Sequence, residues 1–76
     1  MIRKIVRDKS ILGGRPFIAG THISVSFILK QLTQGHTIKE IVRQYPQIRG
    51  DDIINAIKYA ANLVDSQPFI EENEEN

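Results

Sequence analysis

The sequence predicts a mainly α domain with a small β unit at its N-terminus. Three observations carry that prediction. The apolar residues change period after Ser24, from short β-branched runs to helical spacing. Glycine pairs and turns punctuate the first 23 residues. Later, Thr37-Ile38-Lys39-Glu40 has the spacing of a capping box, a specific local signal for a helix start.

The elements follow in order. Ile2-Arg3-Lys4-Ile5-Val6-Arg7 is short, β-branched and partly alternating, as a strand should be. Pro16-Phe17-Ile18 and Thr21-His22-Ile23 flank Ala19-Gly20, a tight-turn signal because glycine reaches positive φ without a Cβ clash. The β unit is therefore expected over about residues 2–23. Val25, Ile28, Leu29 and Leu32 share one helical face, with Ser24 as cap and Gly35 as the left-handed stop, giving a first helix over about 25–34. Phe27 points off that stripe, toward the β unit. Ile38, Ile41, Val42 and Tyr45 form the apolar face of a second helix over about 38–45, stopped by Pro46. The third helix is expected over about 51–64. Asp51 and Asp52 favour its N-terminal dipole, and Ile53, Ile54, Ile57, Ala60, Ala61 and Val64 make its buried stripe. Residues 1–64 thus form one domain, and 65–76 are expected to be an acidic, mostly disordered tail.

Size and charge narrow the function. A chain of 76 residues allows one domain. A single core of this size contributes about 3–5 kcal/mol, so small chains often gain stability from staples or partners. There is no cysteine and there are two histidines, so neither a disulfide nor a closed zinc site is expected. Self-association, most simply as a homodimer, or a protein partner is the remaining source. No apolar run approaches the roughly 20 residues that span a bilayer, and the N-terminus lacks a signal-peptide pattern, so a cytoplasmic protein without a membrane partner is expected. The net charge of +1 hides an asymmetry: residues 1–64 hold ten bases and four acids, or +6, whereas the last twelve residues hold five acids and no base, or −5. A basic body suits a polyanion, and an acidic tail suits a solvated or partner-binding segment. Scattered solvent contacts would give the same count.

The second and third helices, separated by a brief turn, read as a helix-turn-helix. In that motif the exposed face of the second member meets the major groove. Here the face is Asn55, Lys58, Tyr59 and Asn62. Asn55, Tyr59 and Asn62 are the candidate residues nearest the bases: asparagine pairs with adenine, and the Tyr59 hydroxyl would donate to a phosphate oxygen. Arg3, Lys4, Arg7, Arg15, Arg43, Arg49 and Lys58 are the candidate phosphate contacts. Against this, the turn is one residue longer than in most phage-repressor types and lacks their central glycine. Asp51 and Asp52 would also repel phosphates if the helix entered by its N-terminal end. A three-helix bundle with a solvated third face stays open beside the DNA reading. The basic N-terminal strand would serve either as a phosphate contact or as charge that blunts an exposed edge. Its shortness also invites pairing with a second copy.

No catalytic constellation is visible, and no enzyme activity or cofactor is expected. Gly13-Gly14-Arg15-Pro16 through Gly20-Thr21 is glycine-rich but lacks the lysine of a phosphate-binding loop. His22 and His36 stand in no recognisable motif with a carboxylate or nucleophile, and no metal site is expected.

Gly14-Arg15-Pro16-Phe17-Ile18-Ala19-Gly20-Thr21, then Ile23, Val25, Gly35, Ile38, Glu40-Ile41, Tyr45-Pro46, Ile53 and Ala56, resembles the domain-of-unknown-function family 433 over about Ile5 to Ala61. Gly14, Arg15, Pro16, Gly20 and Thr21 are its most specific motif residues. The resemblance implies a homeodomain-like or winged-helix-like domain of bacterial or archaeal origin. It also implies an antitoxin of a type II toxin-antitoxin module, acting in transcription regulation and neutralising a PIN-like ribonuclease toxin. His22 stands where the family usually has arginine; if that arginine contacts phosphate or a partner, histidine there weakens the contact and makes it pH-dependent. Arg49-Gly50 stands where relatives often have a Ser or Thr cap. The tail is acidic, so it would meet a toxin on a basic surface, with Phe69 and Ile70 as apolar anchors. Two functions follow for testing: a dimeric DNA-binding antitoxin, or a protein-interaction module that never touches DNA. A tail folded back on the body would compete with DNA.

Overall fold

The computed structural model describes residues 3–66. Strand β1 (Ile5–Val6) pairs antiparallel with β2 (Phe17–Ile18), Ile5 opposite Ile18 and Val6 opposite Phe17. A bridge from Phe17 to Ser24 places the following segment on the other side of β2. The expected β unit is therefore present, but regular pairing covers two residues per strand rather than the whole 2–7 run. Ile2 lies outside the described residues.

The turn after β2 forms where the glycine signal put it. Thr21 N–H donates to the Ile18 carbonyl at 3.0 Å, and Gly20 sits at φ 81°. That is the third position of a type II turn, which favours glycine. The Thr21 hydroxyl donates to the Ile18 carbonyl at 2.7 Å and accepts from Ile23 N–H at 3.0 Å. Before β2, a short 3-10 turn at Leu12–Gly14 carries an exposed Leu12 at φ 52°.

Three helices follow: α1 (Val25–Thr33), α2 (Ile38–Gln44) and α3 (Gly50–Asp65). The Ser24 hydroxyl accepts from Phe27 N–H at 2.9 Å and caps α1. Gly35 at φ 93° ends it, with Gly35 N–H on the Leu32 carbonyl and His36 N–H on the Gln31 carbonyl, the paired bonds of a Schellman motif. The capping box closes α2: Thr37 N–H donates to Glu40 Oε1 at 2.8 Å, and Glu40 N–H to the Thr37 hydroxyl at 3.1 Å. Pro46 bars its continuation. Helix α3 opens without a Ser or Thr cap. Instead Asp52, in its first turn, accepts from Arg49 N–H at 2.8 Å.

The core is a cluster of six isoleucines: Ile18, Ile23, Ile28, Ile41, Ile48 and Ile53. Each contributes about 1.5–3 kcal/mol on full burial. Ile48, in the α2–α3 turn, belongs to it although no periodic pattern marks it. Phe27 packs against this cluster, and its ring also meets Tyr45 edge-on, centroids 5.3 Å apart, joining α1 to the end of α2. One expectation needs correction: the buried stripe of α3 does not run to Val64. Ile53 and Ala56 are buried and Ile57 is half-buried, but Ile54, Ala61 and Leu63 are exposed and Val64 is 69% exposed. For Ala61, Leu63 and Val64 the cause is length. Sixteen residues make α3 about 24 Å long, whereas the nine of α1 span about 13 Å, so the C-terminal turns of α3 overhang the core.

Candidate nucleic-acid interface

The face of α3 on which Asn55, Lys58, Tyr59 and Asn62 were expected to stand free is partly covered by the N-terminal segment. Arg3 N–H donates to Asp52 Oδ1 at 2.8 Å, and Asn55 Nδ2 donates to the Arg3 carbonyl at 3.0 Å. Four residues along, Arg7 Nε donates to the Tyr59 hydroxyl at 3.3 Å. The segment thus runs beside α3 in the same direction, pinned at both ends. The expectation that Asn55, Lys58, Tyr59 and Asn62 form one exposed stripe is corrected accordingly. Lys58 and Asn62 are exposed, but Asn55 and Tyr59 are half-buried and already bonded to the strand. Hydrophobic periodicity reports which residues avoid the core, and it is blind to a strand arriving from 50 residues away.

Asp52 is the residue the sequence reading undervalued. Its carboxylate is fully buried, accepts from both Arg3 and Arg49 backbone N–H groups, and has Arg3 Nε at 3.8 Å. It is both cap and latch. Only the cap was legible, from its place in the first helical turn.

Among the described residues Arg3–Asp52 is the only ion pair. The other nine of the ten Lys and Arg residues are exposed and pair with no described carboxylate. The acids explain why. Asp8 is held by the Ser10 hydroxyl and backbone N–H, which lower its pKa, and Glu40 is engaged in the α2 cap, where the Thr37 backbone N–H lowers its own. The predicted phosphate contacts fall into three places. Lys4, Arg7 and Lys58 lie along the β1–α3 junction, with Arg3 turned onto Asp52. Arg43 in the last turn of α2 and Arg49 at the start of α3 border the helix-turn-helix connection. Arg15 stands apart, just after the 3-10 turn.

The glycine-arginine-proline to glycine-threonine motif has a folding role. The Pro16 carbonyl accepts from Val25 N–H at 3.0 Å, Gly20 makes the turn, and Thr21 staples it. Phe69 and Ile70 lie outside the described residues. No group of three or more potential metal ligands comes together among the described residues, and no helix there is long and apolar enough to cross a membrane.

Comparison with known proteins gives one match. The model of a family described as "Protein of unknown function (DUF433)" covers residues 5–60. No curated protein and no solved structure matches the chain.

Proposed function

The chain belongs to the DUF433 family, and from that premise and its unpaired cations we propose that it is a DNA-binding antitoxin, acting as a homodimer on its own operator and on a PIN-like ribonuclease toxin. The carrying observation is the set of nine exposed Lys and Arg residues with no carboxylate partner among the described residues. Cations left without a carboxylate partner are available to displace counterions from a phosphate backbone. Phosphate contacts by Lys4, Arg7, Arg43, Arg49 and Lys58 dominate this binding. Base contacts are few: Asn62 and Lys58 reach outward from α3, whereas Asn55 and Tyr59 first hold the N-terminal strand. The antitoxin role rests on the family resemblance alone. No chemistry is assigned to the chain.

A second reading is favoured by a specific observation. Leu63 and Val64 are exposed on the overhanging part of α3, where a protein partner would bury them. In that reading the chain is a protein-interaction module that does not touch DNA. A gel-shift at low salt with the DNA upstream of its gene separates the two. The DNA reading predicts a retarded complex that is lost in the Arg43→Glu, Lys58→Glu double variant. It fails if native protein does not retard the DNA, or if the double variant retards it equally. Co-purification with the product of the neighbouring gene, without DNA affinity, would favour the second reading.

A further inference from the structure

Helix α3 carries an apolar face that its own fold leaves half covered. Ile57, Ala60, Ala61 and Val64 recur at helical spacing and share one side of the helix. Ile57 packs against the core and Ala60 is half-buried, but Ala61 is exposed and Val64 is 69% exposed. Asn55 and Tyr59, which hold the N-terminal segment, lie on the opposite side of the helix, so that segment does not cover this face. It is the end of the apolar repeat that α1 and α2 do not reach.

Two features of this face fit a second copy of the same chain. The first is its order: large, small, small, large reads alike in both directions. In an antiparallel pair of α3 helices, with the two-fold axis between Ala60 and Ala61, Ile57 of each copy stands level with Val64 of the other. The alanines meet at the crossing, as a self-complementary contact requires. The second feature is charge. Lys58 and Asp65 flank the face on one side, about 10 Å apart along the helix. Neither pairs with an opposite charge among the described residues. In the antiparallel pair, Lys58 of each copy lies within about 3 Å, along the axis, of the level of Asp65 of the other. A parallel pair would set lysine against lysine and aspartate against aspartate. Sliding the antiparallel pair by about a turn would oppose two lysines in one direction and two aspartates in the other. The register that buries the apolar face is thus the one that pairs unlike charges. It also keeps the cores apart, the two Ile53 levels being about 22 Å from each other along the axis. We propose that this face of α3 is the interface with a second copy, paired antiparallel through Ile57, Ala60, Ala61 and Val64 and flanked by two Lys58–Asp65 contacts between copies.

This interface rests on the homodimer of the preceding reading and gives it a surface; it does not depend on DNA binding. An ammonium has three donors, so a lysine paired in this way still reaches a phosphate. The test is sedimentation equilibrium of the full chain over a concentration series, at low salt and without DNA, with circular dichroism as the check on folding. The native chain should dimerise. Lys58→Glu alone sets two acids together twice in the dimer, and Asp65→Lys alone sets two bases together twice, so each should associate about tenfold more weakly than native. An equal mixture of the two variant chains should associate as the native chain does, because each altered residue then faces an opposite charge. Val64→Asp should abolish association while leaving the helical signal unchanged. A native chain that stays monomeric throughout would overturn the interface together with the homodimer. A dimer of native strength in Lys58→Glu or in Val64→Asp would leave the homodimer standing and overturn this surface. A mixture no stronger than its components would overturn the pairing of Lys58 with Asp65 and with it the antiparallel register.

Discussion

Replacing Asp52 with alanine should be the most damaging single substitution among the polar residues of α3. The carboxylate is fully buried and accepts two backbone hydrogen bonds of 2.8 Å, from Arg3 and from Arg49. A hydrogen bond to an ionised group contributes about 1.5–3 kcal/mol net. The two losses overlap, because Arg3 can swing back to water while the Arg49 N–H stays at the helix end. A net cost of about 3–4 kcal/mol follows, within the range for breaking a buried charged contact. A core of this size supplies about 3–5 kcal/mol, so the variant should lose most of its stability. Urea titration followed by circular dichroism at neutral pH measures it directly. Asp51→Ala is the control: Asp51 is exposed and has only the helix dipole to lose, about 1 kcal/mol or less. Asp52→Asn keeps one acceptor oxygen and should fall between them. If Asp52→Ala costs under about 1 kcal/mol, or no more than Asp51→Ala, the latch assigned to this carboxylate is wrong.

Three further outcomes are expected. Gly20→Ala should destabilise by about 1–2 kcal/mol, from the left-handed turn position and from the Arg3 guanidinium, which would lie 2.8 Å from the new Cβ; a denaturation midpoint equal to native would refute this. Val64→Ser should change stability by less than about 0.5 kcal/mol, whereas Ile53→Ala should cost about 2–5, and parity between the two would contradict the overhang of α3. Glu40 has a pKa lowered chiefly by the Thr37 backbone N–H, so its cap stabilises the fold above the ordinary carboxylate pKa of 4.5 and is lost as pH falls through the lower folded value. Thermal melts should hold level from neutral pH down to that range and then decline, and Glu40→Gln should decline less steeply; identical slopes would remove Glu40 as a contributor.

Local signals in this sequence translated well into structure, because their physics is local. The Thr37–Glu40 box, the Ser24 cap and the Gly35 stop each depend on residues three or four apart, and each forms as its spacing indicates. The same holds for the Gly20 turn. What periodicity could not convey was how far a partner surface extends. The apolar repeat of α3 continues to Val64, but α1 and α2 are too short to cover it, so the repeat ends in solvent. Nor could it convey long-range pairing. The bonds from Arg3 to Asp52, Asn55 to Arg3 and Arg7 to Tyr59 link positions about fifty residues apart, and they change Asn55 and Tyr59 from free readers into strand holders. The family motif was legible as a pattern, and its bonds explain it as the staple of a turn.

The proposed function rests on unpaired cations meeting phosphates, and the salt dependence of binding tests that most directly. Fluorescence anisotropy with labelled upstream DNA should show tight association at low salt. The logarithm of the association constant should fall linearly with the logarithm of salt concentration, by about 0.9 for each phosphate neutralised, giving a slope near −4 to −5 if five cations engage. Arg43→Glu with Lys58→Glu should lower affinity and flatten the slope by about two. No association at low salt, or a slope near zero, would contradict the account.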